Sequence, residues 1–280
     1  ALTDFSKNAF WKENLFDVMG DLANLSGGHP VDNIKGISTF SCPGDLMHTG
    51  DLGVLSWTLG GVLTELVFSG PFTGNIAERA RELWNEIQTV YNVQGTTNRL
   101  TLLTLSMFFK GRDEWAHLSA KAAETRSLLF VLRDICEFFN TGAPRDLHRL
   151  RCLGALCRIY TTSYENGYVI PLDIAETMLE DCDTFLVHYN WLCRNSMEHG
   201  FLCYNAVMKL HMCWHICYHA RYINPRFVWA YEFEDLVGSM ITAAKSCMAG
   251  TLLRFAGAKT LEKLRVGIEL APERVSASTQ

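Results

Sequence analysis

Two acidic positions and a row of histidines offer the residue types from which a divalent-metal or acid–base site is built. In "CPGDLMHTGDLGV" (42–54), Asp45 and His48 stand three apart. If that stretch is helical they share a face, and the carboxylate can accept from the imidazole and orient it. Carboxylates at helix starts suit Mg2+, which takes one or two of them together with phosphate oxygens and water. The plainer reading is a capping Asp beside a surface His. Residue types alone leave both open.

A second acidic position lies near the other end. In "YEFEDLVGSMITAAKS" (231–246), Phe233, Leu236, Val237, Met240, Ile241 and Ala244 follow helical spacing and predict one buried stripe. Glu234 projects away from it, on a strip shared with Gly238 and Lys245. A glycine inside a helix costs about 1 kcal/mol relative to alanine. One turn beyond a carboxylate, it leaves room for a bulky ligand or a backbone. Against this stands the simpler role of Glu232, Glu234 and Asp235, which is to complement the positive end of the helix dipole.

Between them, "KLHMCWHICYHARYINP" (209–225) spaces His211, His215 and His219 by four. Each step turns by about 40° and rises about 6 Å, so the three form one row on a helix. Two of them could hold Zn2+ in the i, i+4 manner, and Cys213 with Cys217 makes a second such pair on another face. A complete zinc site needs further ligands, and no CxxC or second HxxxH supplies them. The expectation is therefore no tight zinc binding by this chain alone. A core role, with the rings satisfied by backbone or Tyr, is equally open.

The elements that must position these groups are helical. From Asp51, the residues Leu52, Leu55, Leu59, Val62, Leu63 and Leu66 form one stripe, closed by "SGPFTGN". Helical patterns are expected at about 3–25, 75–92, 99–110, 115–139, 145–165, 171–196, 204–222, 231–248 and 258–268. The breaks "NVQGTTN", "NTGAP", "ENGYVIP" and "YINP" separate several of them. The one strand candidate is "GISTFS" (36–41). The tail from residue 269 reads as disordered. The fold class is thus mostly α, with at most a few short strands near the N-terminus.

Composition narrows the function classes. With 280 residues, 48% hydrophobic and 20% charged, the chain is one large globular domain or two modest ones. No stretch reaches the roughly 18 uncharged apolar residues of a membrane span, and no membrane partner is expected. The chain opens Ala-Leu-Thr-Asp, without a signal-peptide pattern, and reads as mature or as a piece of something longer. Its ten cysteines lie scattered in apolar helical patterns, which points to reduced thiols in an intracellular protein. The net charge of −5 excludes a protein that coats nucleic acid. The whole deficit falls in residues 1–140, so any DNA contact would be local to the balanced second half.

Taken together, three stretches resemble a family. "DLMHTGDLGVLSWTLGGVL" is similar to the Asp-x-(Leu/Met)-His…Gly-Val segment of cut-and-paste DNA transposases of the CACTA/Mirage/Chapaev superfamily. "HLSAKAAETRSLL" (117–129) resembles their Lys-Ala-x-Glu-x-Arg helix. Residues 208–251 resemble their closing Lys-x-His-x-x-x-His…Phe-Glu-x-x-(Asn)-Gly…Gly-Thr region. The resemblance implies the end of a ribonuclease-H-like core with the Asp/His segment in residues 1–70. A helical insertion would occupy 71–225 and closing core helices 226–268, with the tail at 269–280. It implies Asp45 and Glu234 as catalytic, Mg2+-binding carboxylates about 4–8 Å apart, as ligands shared by two ions would be. It makes His48 catalytic too, with Lys209, His211, His215 and Gly238 in support. DNA would be the partner, self-association is open, and the location would be nuclear if the source is eukaryotic. Two further acidic residues and a cysteine pair of the family pattern should lie upstream and are not in this chain. Val237 stands where Asn is usual, and Ser246-Cys247 where a His is common. The resemblance therefore implies a C-terminal fragment, inactive alone and weak on DNA, or a non-enzymatic helical interaction module derived from such an enzyme.

Overall fold

A computed structural model describes residues 44–245 and, further on, Ala258, Leu261, Glu262 and Arg265. The expected helix at 3–25, the strand at 36–41 and the tail from 269 lie outside the described residues. Among the described residues the chain is mostly helical and holds no strand. Its contacts divide it into a first unit ending at Trp229 and a second starting at Ala230.

Helix α1 (Met47–Ser69) is the centre of the first unit. Leu55, Leu59, Val62, Leu63 and Leu66 are almost fully buried, each contributing about 1.5–3 kcal/mol relative to exposure. The helix is long and apolar enough to cross a membrane, yet most of it is buried inside the protein. Asp51 and Glu65 interrupt its apolar surface and are themselves buried. It is a core helix.

The remaining helices are α2 (Ile76–Gln94), α3 (Ala122–Phe138), α4 (Pro144–Glu165), α5 (Leu172–Glu198) and α6 (Met208–His219). Each packs against the next, and α6 returns to the first turns of α1, closing a ring; α3 also packs on α1. The local signals are those the sequence carries. Asn75 and Glu78 form a reciprocal capping box at the start of α2, and Gly95 ends that helix in the left-handed conformation. Pro144 occupies the first turn of α4.

Residues 99–110 depart from the expectation. They run as irregular chain with one short 3-10 turn, Leu105–Met107. Leu100, Leu103 and Phe108 are buried all the same, so apolar spacing of three to five marks a buried face there without a helix. The helix expected from 115 begins only at Ala122. The backbone before it is spent elsewhere: Ala116 N–H donates to Leu202, His117 to Phe108, Leu118 to Ser56 and Ser119 to Met107. A helix needs those donors for itself.

Glycine lets the chain come this close to α1. A Cβ at Gly60 would stand 2.7 Å from the backbone of His117 and Leu118, and one at Gly61 would stand 2.6 Å from the Cys203 carbonyl. Neither neighbour can turn aside, because both are backbone.

Helix α7 (Tyr231–Lys245) opens the second unit. Of its expected apolar stripe, Val237 and Ile241 are 47% and 48% exposed.

Candidate functional site

The first nine residues of α1, Met47–Leu55, are wound as a π-helix. Such turns are rare and concentrate at functional sites. The Ser56 hydroxyl donates to the Asp51 carbonyl five residues back, giving the wide turn a side-chain partner. His48 lies in this segment and Asp45 two residues before it, where the carboxylate could cap the helix or orient the imidazole. Asp45 does both things at once. One carboxylate oxygen accepts from the Met47 N–H at 2.9 Å, the other from the His48 N–H at 3.4 Å, and the second also meets the His48 Nδ1. It caps the helix and fixes the imidazole. Both side chains reach solvent, at 27% and 48% exposure, so a ligand can approach them.

Helix α6 lies antiparallel along this segment. Ile216 packs where a Cβ on Gly44 would be, and the Lys209 stem packs against Gly53. The Lys209 ammonium donates to the Leu52 carbonyl at 3.4 Å. Lys209 also bears on His117: burial lowers that imidazole's pKa, and the charges of Lys209 and Lys110 lower it further. The histidine row is partly as expected. His211 and His215 face each other, Nε2 to Nε2 at 2.9 Å, a neutral pair in which one ring donates and the other accepts. Burial, then the neighbouring His211 and His219, holds His215 down at about 4. Burial lowers His211, and burial with Arg221 lowers His219.

That row makes the fold acid-sensitive. A group whose pKa falls from about 6.5 unfolded to about 4 folded binds fewer protons in the native state across that window. Stability is fully present above pH 6.5 and is lost as pH falls towards 4. We expect the melting temperature to drop between pH 7 and pH 4.5, and to drop less in His215→Gln. A pH-independent melting temperature over that range would remove the argument.

One acid that the sequence reading passed over proves central. Asp51 is fully buried. It accepts from the Tyr160 hydroxyl at 2.7 Å and from Arg126 at 3.3 Å. The Arg126 guanidinium lies 5.5 Å from the Tyr164 ring and 4.9 Å from the Trp229 ring. Burial, then the Asp51 charge, drives the Tyr160 pKa well above its ordinary value, so it stays a donor. The signal was available: a lone carboxylate inside an apolar helical stretch must find a partner. Glu65 repeats the pattern with Arg145 and Arg149 at 2.8 and 3.2 Å and the Tyr204 hydroxyl at 2.7 Å.

Two cations of the second half that could meet a phosphate, Arg226 and Arg221, have protein partners. Arg226 donates to the Tyr164 carbonyl at 3.2 Å and lies 4.5 Å from that ring. Arg221 donates to the Tyr218 carbonyl and lies 4.0 Å from its ring. Beside Arg126, a cleft of about 240 Å³ opens between Gln94, Asn98, Phe130 and Tyr164.

Glu234 belongs to the second unit and Asp45 to the first. Glu234 lies exposed in the first turn of α7, its N–H donating to the Ala230 carbonyl at 2.8 Å. Open space surrounds the Gly238 position, one turn on. The three motif-bearing stretches, far apart in sequence, nonetheless meet within the first unit. Asp51 comes from the first, Arg126 from the second, and Lys209 and Trp229 from the third. Comparison with known families, curated proteins and solved structures finds no match for this chain.

Proposed function

We propose that the chain is the C-terminal half of the catalytic region of a DDE-type, transposase-like protein, acting on DNA in the nucleus if its source is eukaryotic. The meeting of the three motif-bearing stretches around the π-wound start of α1 carries this reading. Residues about 75 positions apart in the chain, Asp51 and Arg126, form one buried ion pair. On this reading the helices from α2 to α6 are an insertion, and a ribonuclease-H-like core supplies Asp45 before it and Glu234 after it.

The donor set fits Mg2+ in part. Asp45 and Glu234 are accessible carboxylates, the hard oxygen ligands that Mg2+ takes. Asp51 does not qualify, since Arg126 and Tyr160 each donate to one of its oxygens in a buried site. When bound, two such ions activate a water or a 3′-hydroxyl and stabilise the leaving oxygen of a phosphodiester. This chain's own part is narrower. Asp45 and Glu234 would each present an oxygen, His48 would hold the Asp45 carboxylate in one orientation, and Lys209 would add positive charge nearby. His211 and His215, neutral at pH 7, would keep α6 in register along the segment rather than bind the ion. Gly238 would leave space above Glu234.

Two acids are too few for the full clamp, so the isolated chain should not nick a supercoiled plasmid with Mg2+ or Mn2+, nor should Glu234→Gln. Cleavage by the native chain that Glu234→Gln abolishes would show a complete site. DNA binding should be weak, because few cations can release counterions, and what binding there is should be electrostatic and lost as salt rises. The metal reading has its own test. Fe2+ with ascorbate in place of Mg2+ generates radicals that cut nearby backbone. We expect cuts close to residues 45 and 234, competed by Mg2+ and lost in Asp45→Ala. Cuts at neither position would overturn the assignment and favour a helical interaction module.

A further inference from the structure

Where α5 and α6 pack together, three sulfur atoms meet. Cys182 comes from α5, and Cys213 and Cys217 from successive turns of α6. Their Sγ atoms all lie within 4.8 Å of one another. All three residues are buried, at 0, 3 and 1% exposure. The i, i+4 spacing fixes two sulfurs on one face of a rigid helix, and the packed neighbour supplies the third. The cluster is separate from the histidine row, which faces another side of α6.

Two plainer accounts fall short of it. Buried cysteines pack as small apolar side chains, but packing gives no reason for three of them to aim at one point. A disulfide would use two and leave the third idle. Three donors around one ion, with metal–sulfur bonds of about 2.3 Å, stand about 4 Å apart. Small side-chain rotations reach that arrangement. No fourth donor joins the cluster among the described residues. The flanking carboxylates are held elsewhere, Asp181 by Arg158 at 2.7 Å and Asp183 by the Trp214 indole N–H at 3.1 Å. A tetrahedral zinc centre wants four ligands, whereas soft ions accept sulfur donors alone.

We propose that Cys182, Cys213 and Cys217 form a buried three-sulfur site for a soft, thiophilic d10 metal ion. Binding of a divalent ion displaces two thiol protons to solvent, and the third sulfur donates as a thiol. The site is then electrically neutral, as an apolar core requires.

The test uses Cd2+ with the reduced 280-residue chain. We expect one Cd2+ retained per chain after gel filtration, a sulfur-to-cadmium charge-transfer band in the ultraviolet, and two protons released per ion. Bound Cd2+ should be lost in Cys182→Ala and kept in His211→Ala/His215→Ala. Should Cys182→Ala fail to fold, alkylation of the native chain in mild denaturant decides: Cd2+ should protect Cys182, Cys213 and Cys217 from iodoacetamide and leave Cys136 and Cys152 reactive. Absence of stoichiometric uptake, uptake undiminished by Cys182→Ala, absence of selective protection, or a disulfide between two of the three in chain purified under air would each overturn the proposal.

Discussion

Asp51→Ala should destabilise the first unit by about 3–5 kcal/mol, the range for removing one member of a buried ion pair. The loss has two parts. Arg126, only 13% exposed at its side chain, keeps its charge without its counterion. Tyr160, fully buried, keeps a hydroxyl without an acceptor. Asp51→Asn should cost less, because an amide oxygen still accepts from one of the two. Asp45→Ala is the contrasting variant. It removes a solvent-accessible helix cap and should cost about 1 kcal/mol. Urea unfolding followed by circular dichroism checks all three. A loss below about 1 kcal/mol for Asp51→Ala would mean that water or another group replaces the carboxylate, and the buried network would not organise the π-wound segment.

Glu65→Leu should have an effect of similar size, about 3–5 kcal/mol. Its carboxylate is 2% exposed, and it answers Arg149, 7% exposed, as well as Arg145, 26% exposed. Arg145 can swing to water when the acid is gone. Arg149 keeps only Asp146, at 2.6 Å. The double variant Glu65→Leu/Arg149→Leu should lose less than the two single losses combined, since an apolar pair leaves no uncompensated charge behind. Strict additivity in the same urea experiment would show that the two side chains do not depend on each other.

Helix existence and most helix ends were legible in the chain. Apolar periodicity near 3.6 predicted α1 to α6, and the capping box at Asn75, Gly95 and Pro144 act locally, within a turn of where they stand. The Asp45–His48 pair was legible for the same reason: three residues of helix suffice to bring the two side chains together. The row of His211 and His215 was legible too, being one turn of one helix.

What the sequence could not yield were the consequences of chain segments meeting across long separations. Residues 99–110 carry apolar spacing that fits a helix, but their backbone lies beside residues 116–119, whose N–H groups pair with other segments. Nothing within that stretch announces this. The pairing of Asp51 with Arg126 and Tyr160, and of Glu65 with Arg149 and Tyr204, spans 75 to 139 positions. A buried carboxylate tells the reader only that a partner must exist. The third sulfur beside Cys213 and Cys217 follows the same rule, because i, i+4 spacing sets two ligands and only the packing of α5 on α6 adds Cys182. Local structure is a short-range property of backbone and neighbouring side chains and can be read from a string of residues. Which buried charge or thiol meets which is decided when helices pack, and only the tertiary structure decided it here.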